Sequence, residues 1–238
     1  MKKLLKKLAL LPLFCGLVLT SACSNDDDNG NDIPTSWFDG TITATVENGN
    51  NYNDLIAEVV AFALSDRYGD EIVARGIWSN GGFTITLPET LDDKFFESDG
   101  HGLLEDFPSA SISDKNIRLA FVGDEVTLDV LNDNGDFIGF LFWGNSDVWA
   151  RFVYADRDAI ITGRESFESY TFTVNMSLKR GWNVVYYINL GGRNEIMTTE
   201  PVSNLRWYFH SWSDWWSSAP MATKSTTQSR SFFSRLGR

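Results

Sequence analysis

The strongest constraint on this fold is a succession of short strand-like stretches, each closed by a turn signal. Thr41 to Glu47 alternates, with Ile42, Ala44 and Val46 on one side and Thr41, Thr43 and Thr45 on the other, as a strand with one buried face requires. Ile72 to Trp78 and Phe83 to Leu87 flank Ser79-Asn80-Gly81-Gly82. Asn-Gly accepts the positive φ angles of a tight hairpin, so these two strands pair. Val126 to Leu131 and Phe137 to Trp143 flank Asn132-Asp133-Asn134-Gly135-Asp136, a second hairpin. Leu55 to Leu64 is apolar except at Glu58, and Val59, Val60 and Phe62 favour a strand buried on both faces over a helix. Further strands follow at Val148 to Ala155, Ala159 to Gly163, Ser169 to Met176, Val184 to Leu190 and Leu205 to Trp212. Only Glu89 to Phe96, with acids early, has the spacing of a short helix. The lack of strand–helix alternation excludes parallel α/β folds, and no fixed-period repeat suggests a propeller. The expected fold is therefore all-β, an antiparallel β-sandwich of roughly eleven strands with at most one short helix.

The N-terminus reads as an address rather than as structure. Met1 to Lys7 is positive, and Leu8 to Leu19 is apolar but too short to cross a bilayer as a helix. Thr20-Ser21-Ala22-Cys23 follows, and small residues directly before a cysteine resemble the bacterial lipobox. The departure is Thr20, where that pattern usually has Leu. The resemblance implies cleavage after residue 22 and lipid on Cys23. Ser24 and Asp26, Asp27 and Asp28 come next. They resemble the acidic signal that sends lipoproteins to the outer face of the outer membrane in one group of Gram-negative bacteria. Residues 23–36 then form a lipidated acidic tether, whose thirteen residues from Ser24 to Ser36 extend to about 40 Å. Residues 37–216 form the β body, as one large domain or two small ones, and residues 217–238 form a basic tail expected to be disordered.

Composition bears on partners. The signal holds four of the 20 Lys and Arg and none of the 32 Asp and Glu, leaving 16 bases against 32 acids from Cys23 onward. The tail adds Lys224, Arg230, Arg235 and Arg238 with no acid, so residues 23–222 carry 12 bases against 32 acids. Such a field repels phosphate backbones and argues against nucleic-acid binding. Cys15 lies in the signal and Cys23 is the lipid site, so the body has no thiol for a disulfide, a nucleophile or a thiolate-bound metal.

Motifs for chemistry are sparse. There is no Walker loop, no GxGxxG and no GxSxG, and no cofactor is expected. Two calcium registers fail. With Gly30 sixth, the twelfth position is Ser36 instead of Glu, and with Gly135 sixth, the first ligand would be Val130. A weak metal candidate is Glu97, Asp99 and His101, which share one side of an extended segment; the competing reading is a polar loop. His210 sits in a β pattern as a surface or rim histidine.

Aromatics are the most unusual feature. Nine Trp occur, four of them between Trp207 and Trp216. Indoles beside Ser and Asp make stacking platforms for sugars, so Trp212, Trp215 and Trp216 are the candidate ligand-binding residues. The alternative is that Trp207 and Phe209 are core and Trp212 to Trp216 cover a sheet edge.

Three segments carry a wider resemblance: Asn80-Gly81-Gly82-Phe83 with Leu87-Pro88, Tyr154-Ala155-Asp156-Arg157-Asp158 with Gly163, and Leu178 to Tyr186. In these the body resembles uncharacterised surface lipoproteins of the same bacterial group. The resemblance implies a β-rich surface domain, anchored in the membrane through lipid, and carries over no functional residue. The expected function is a non-enzymatic binding or adhesion module, its partner a glycan or another surface protein. The competing class is an extracellular polymer hydrolase using paired carboxylates.

Overall fold

The computed structural model describes residues 38–63, 71–96, 109–123, 128–167, 170–191 and 193–212. Fourteen strands occur among them. In chain order they are β1 (Thr41–Glu47), β2 (Glu58–Ala63), β3 (Glu71–Ser79), β4 (Gly82–Thr86), β5 (Ser111–Ile112), β6 (Leu119–Phe121), β7 (Leu128–Leu131), β8 (Phe137–Gly144), β9 (Val148–Ala155), β10 (Ala159–Phe167), β11 (Tyr170–Leu178), β12 (Gly181–Asn189), β13 (Asn194–Thr198) and β14 (Arg206–Ser211). The fold is all-β, as expected.

The expected sandwich gives way to a closed ring. Strands pair in the order β14-β1-β4-β3-β2-β7-β8, and β8 pairs back onto β14, making a seven-stranded barrel. A ring of seven strands cannot alternate direction all the way round, because an odd cycle needs one parallel pair. That pair is β1 with β14, where Val46 lies opposite Trp207, while the other six pairings are antiparallel. Closure removes the exposed edges that a sandwich would have to protect.

The hairpins form where the turn residues demand. Asn80 and Gly81 have φ of 52° and 74°, the doubly left-handed turn that matches strand twist, and β3 and β4 pair from Ser79 opposite Gly82 onward. At the second hairpin the Asn132 Oδ1 accepts from the Asn134 and Asp136 N–H groups, both at 2.9 Å. The expected helix over Glu89 to Phe96 is instead a single 3-10 turn, Asp93–Phe95. Both Phe95 and Phe96 are buried, and the backbone is already extended again at Phe96, with φ −84° and ψ 120°.

The remaining strands extend β9 into a second sheet, β9-β12-β13-β11-β10-β5, with β6 on the other edge of β9. Strand β13 wedges between β11 and β12, parallel to β11, so this sheet is not purely antiparallel either. At the β11–β12 turn Asn183, almost fully buried, accepts from Lys179 N–H and donates to the Lys179 and Gly181 carbonyls.

Two cores result, and β9 and β12 serve both. Ala150, Phe152, Tyr154, Trp182 and Tyr186 face the barrel core, while Val153, Ala155, Val185 and Tyr187 face the second. The period of two is the strand pleat. The barrel core is filled largely by rings. Trp143 and Trp207 stack at 5.5 Å and 5°, Phe83 meets Trp207 edge-on at 5.0 Å, and Phe152 stacks on Trp143 at 6.0 Å. Val60 and Phe140 are buried although they share the outer side of the ring with Arg75 and His210. The expectation that β2 is buried on both faces therefore holds.

Candidate functional site

One end of the barrel gathers four of the six large apolar side chains that stand exposed among the described residues. The turn after β1 contains the 3-10 segment Gly49–Tyr52 and lies against the β3–β4 turn: a Cβ on Gly49 would sit 2.0 Å from the Gly81 carbonyl oxygen, so only glycine fits. Val46 N–H donates to that same oxygen at 2.9 Å. Asn53 locks the two loops, its Oδ1 accepting from Trp78 Nε1 at 3.0 Å and from Gly81 N–H at 2.9 Å. Ala57 N–H donates to the Leu131 carbonyl at 2.9 Å, bringing in the β7–β8 hairpin. Tyr52 packs edge-on against Phe209 of β14 at 4.7 Å.

Around this rim stand Leu55 (56% exposed), Ile77 (73%), Phe137 (42%) and Trp212 (49%). Trp212 and Phe137 form an edge-to-face pair, centroids 5.5 Å apart and planes at 69°. The same loops carry Asn48, Asn50, Asn51 and Asn53, then Asn80, then Asn132 and Asn134. Amides that both donate and accept, beside open aromatic rings, are the chemistry of an uncharged polar ligand with apolar faces.

The candidate aromatic residues separate clearly. Trp207 is core, 1% exposed, as the alternative reading had it, whereas Phe209, also expected in the core by that reading, is only half-buried, against Tyr52. Trp212 is exposed at the rim and lies just past β14, which ends at Ser211 rather than at Trp212. His210 stacks on Phe140 at 5.6 Å, and partial burial lowers its pKa. Trp215, Trp216, Glu97, Asp99, His101, Cys23, Ser24 and Asp26 to Asp28 lie outside the described residues. Among the described residues no cluster of three metal-ligating side chains occurs.

Two further charged groupings lie on the second sheet. Phe172, fully buried, has Glu165 opposite it on β10 and Glu195 opposite it on β13, so both carboxylates share its face. Tyr170 donates to the Glu195 carboxylate; burial first, and this bond second, push the phenol pKa upward. The Glu165 Oε2 is buried without a hydrogen-bond partner. Sequence reasoning missed this pair because 32 acids supply many chance pairs and only register selects one.

The other grouping is a clamp. Asp156 accepts from Arg118 N–H at 2.9 Å, Arg118 Nε at 3.0 Å, Arg157 Nε at 3.1 Å and Arg157 Nη2 at 3.0 Å. Asp158 accepts from Lys179 Nζ and Arg180 N–H. These charges tie the β9–β10 turn to its neighbours. No family model, curated protein or solved structure matches the chain.

Proposed function

We propose that this chain is a lipid-anchored, non-enzymatic binding module on the outer surface of the outer membrane, and that the barrel rim around Trp212 is its glycan contact. The observation that supports it is polarity. The chain enters the barrel at Phe38–Gly40, where Phe38 stacks on Phe152 at 5.3 Å and the Gly40 carbonyl accepts from Leu87 N–H at 2.8 Å. It then runs along β1 to the rim loops at the far end, a span of about 23 Å. A lipid on Cys23 would tether the barrel through its entry end, opposite Trp212, Phe137 and the amide loops, and a tether reaching about 40 Å leaves that far end free to meet a partner. The acidic body disfavours nucleic acid and leaves a glycan or another surface protein as partner.

The test has two arms. Cys23→Ala should release the protein from membranes, and replacing Asp26, Asp27 and Asp28 with Ala should keep it lipidated but reduce its protease accessibility on whole cells. Membrane retention by the first variant, or unchanged exposure of the second, would remove the anchoring and export readings respectively. The competing reading, a polymer hydrolase, has one observation in its favour, the Glu165–Glu195 pair astride Phe172. Release of reducing ends that disappears in Glu165→Gln and Glu195→Gln would favour it over binding alone.

A further inference from the structure

Resting on the glycan reading, we infer that the Trp212–Phe137 corner takes a single uncharged pyranose, the terminal residue of a glycan, and not a run of sugars. Ring geometry is the first reason. A glycan chain laid along a surface stacks successive residues on coplanar, separated rings, whereas Trp212 and Phe137 meet at 69° with centroids only 5.5 Å apart. The edge of one ring against the face of the other makes two non-parallel apolar walls, which offer one stacking surface and not a row of them.

Polar groups are the second reason. The β7–β8 turn leads directly into Phe137. Its shape is set in advance by Asn132, whose Oδ1 already holds the Asn134 and Asp136 N–H groups. Asp133 and Asn134 stand exposed at its tip, so hydrogen-bonding groups flank the corner without needing to be ordered on binding.

Charge is the third reason. Residues 48–57, 79–82 and 132–136 contain no lysine or arginine but do contain Asp54, Asp133 and Asp136. Arg206 of β14 is engaged by Glu47 at 2.8 Å. A sugar carboxylate or sulfate would meet repulsion from these acids and no cation from these loops. One neutral sugar on two rings gives a Kd on the order of millimolar, which a densely displayed lipoprotein multiplies by avidity.

The experiment is calorimetry and saturation-transfer NMR on the mature lipoprotein in a sugar-free detergent. The probes are methyl glycosides of glucose, galactose, mannose and N-acetylglucosamine, each beside its homo-oligomers of two and four residues. For the preferred sugar, monomer and tetramer should bind within about threefold of one another, and Trp212→Ala and Phe137→Ala should each weaken binding about tenfold. Ile160→Ala, on the exposed face of the second sheet, should change nothing. If Trp212→Ala melts early, Trp212→Leu keeps the apolar bulk without the π face and should show the same loss. Affinity that climbs tenfold or more from monomer to tetramer would overturn the corner and leave the glycan reading standing. No binding of any probe at ~10 mM, or wild-type affinity in both ring variants, would overturn both.

Discussion

Asp156→Asn isolates the one strongly perturbed carboxylate of the clamp. Desolvation alone would raise the Asp156 pKa, but hydrogen bonds from the Arg157 guanidinium, the Arg118 N–H and the Arg118 guanidinium outweigh it and hold the pKa at about 2, against 3.8 in the unfolded chain. The difference corresponds to about 2 kcal/mol of folding stability. That is an upper figure, because the Arg118 and Arg157 side chains are 38% and 41% exposed and water screens them, whereas Asp156 is 10% exposed. The folded pKa is depressed, so the stabilisation is complete above the unfolded value and is lost as pH falls through it toward about 2. About half should remain at pH 3 and well under 1 kcal/mol at pH 2. Urea unfolding of wild type and Asp156→Asn at pH 7, 5, 3 and 2 measures it, since the difference between the two proteins cancels the other carboxylates. The deficit of the variant should be about 2 kcal/mol at pH 7 and 5 and should shrink below pH 4. A deficit that stays constant from pH 7 to pH 2 would show that shape, and not charge, makes the clamp.

Asn53→Ala should cost about 1–2 kcal/mol by chemical denaturation, because Trp78 Nε1 and Gly81 N–H lose their shared acceptor in a part-buried turn. Asn53→Asp, which keeps an acceptor oxygen, should recover most of it. Trp207→Ala should cost about 3–5 kcal/mol, since it empties the centre of the ring stack. Trp212→Ala should stay within about 0.5 kcal/mol of wild type, and equal losses at both positions would deny that Trp212 is a surface residue.

Local pairing was legible in the sequence and ring closure was not, for a physical reason. Asn80-Gly81 specifies its hairpin through backbone conformations available to those two residues, and the alternation from Thr41 to Glu47 specifies which side of β1 is buried. Each signal lies within a few residues of what it determines. Closure depends on β14 finding β8 and β1 across a long stretch of chain, and its packing partners, Trp207 against Phe83 and Trp143, are adjacent only once the ring exists. The strands overlooked were short or lacked alternation. Strands β5 and β6 have two and three residues, and β13 buries only Met197 and Thr198, which are consecutive.

The same distinction explains the aromatic cluster. Trp207 and Trp212 are five residues apart, and a strand of five steps puts them on opposite faces. Closure then decides what each face meets. The inward face of β14 joins a stack already built from β4, β8 and β9, so Trp207 has no route to solvent. Trp212 lies one residue past the last ladder pair, Ser211 opposite Gly139, and among the described residues that ladder goes no further. Its partner Phe137 is likewise the first residue of β8, next to the turn that ends the hairpin. Both rings therefore stand at the point where the β8–β14 ladder stops, and they meet each other there rather than the core.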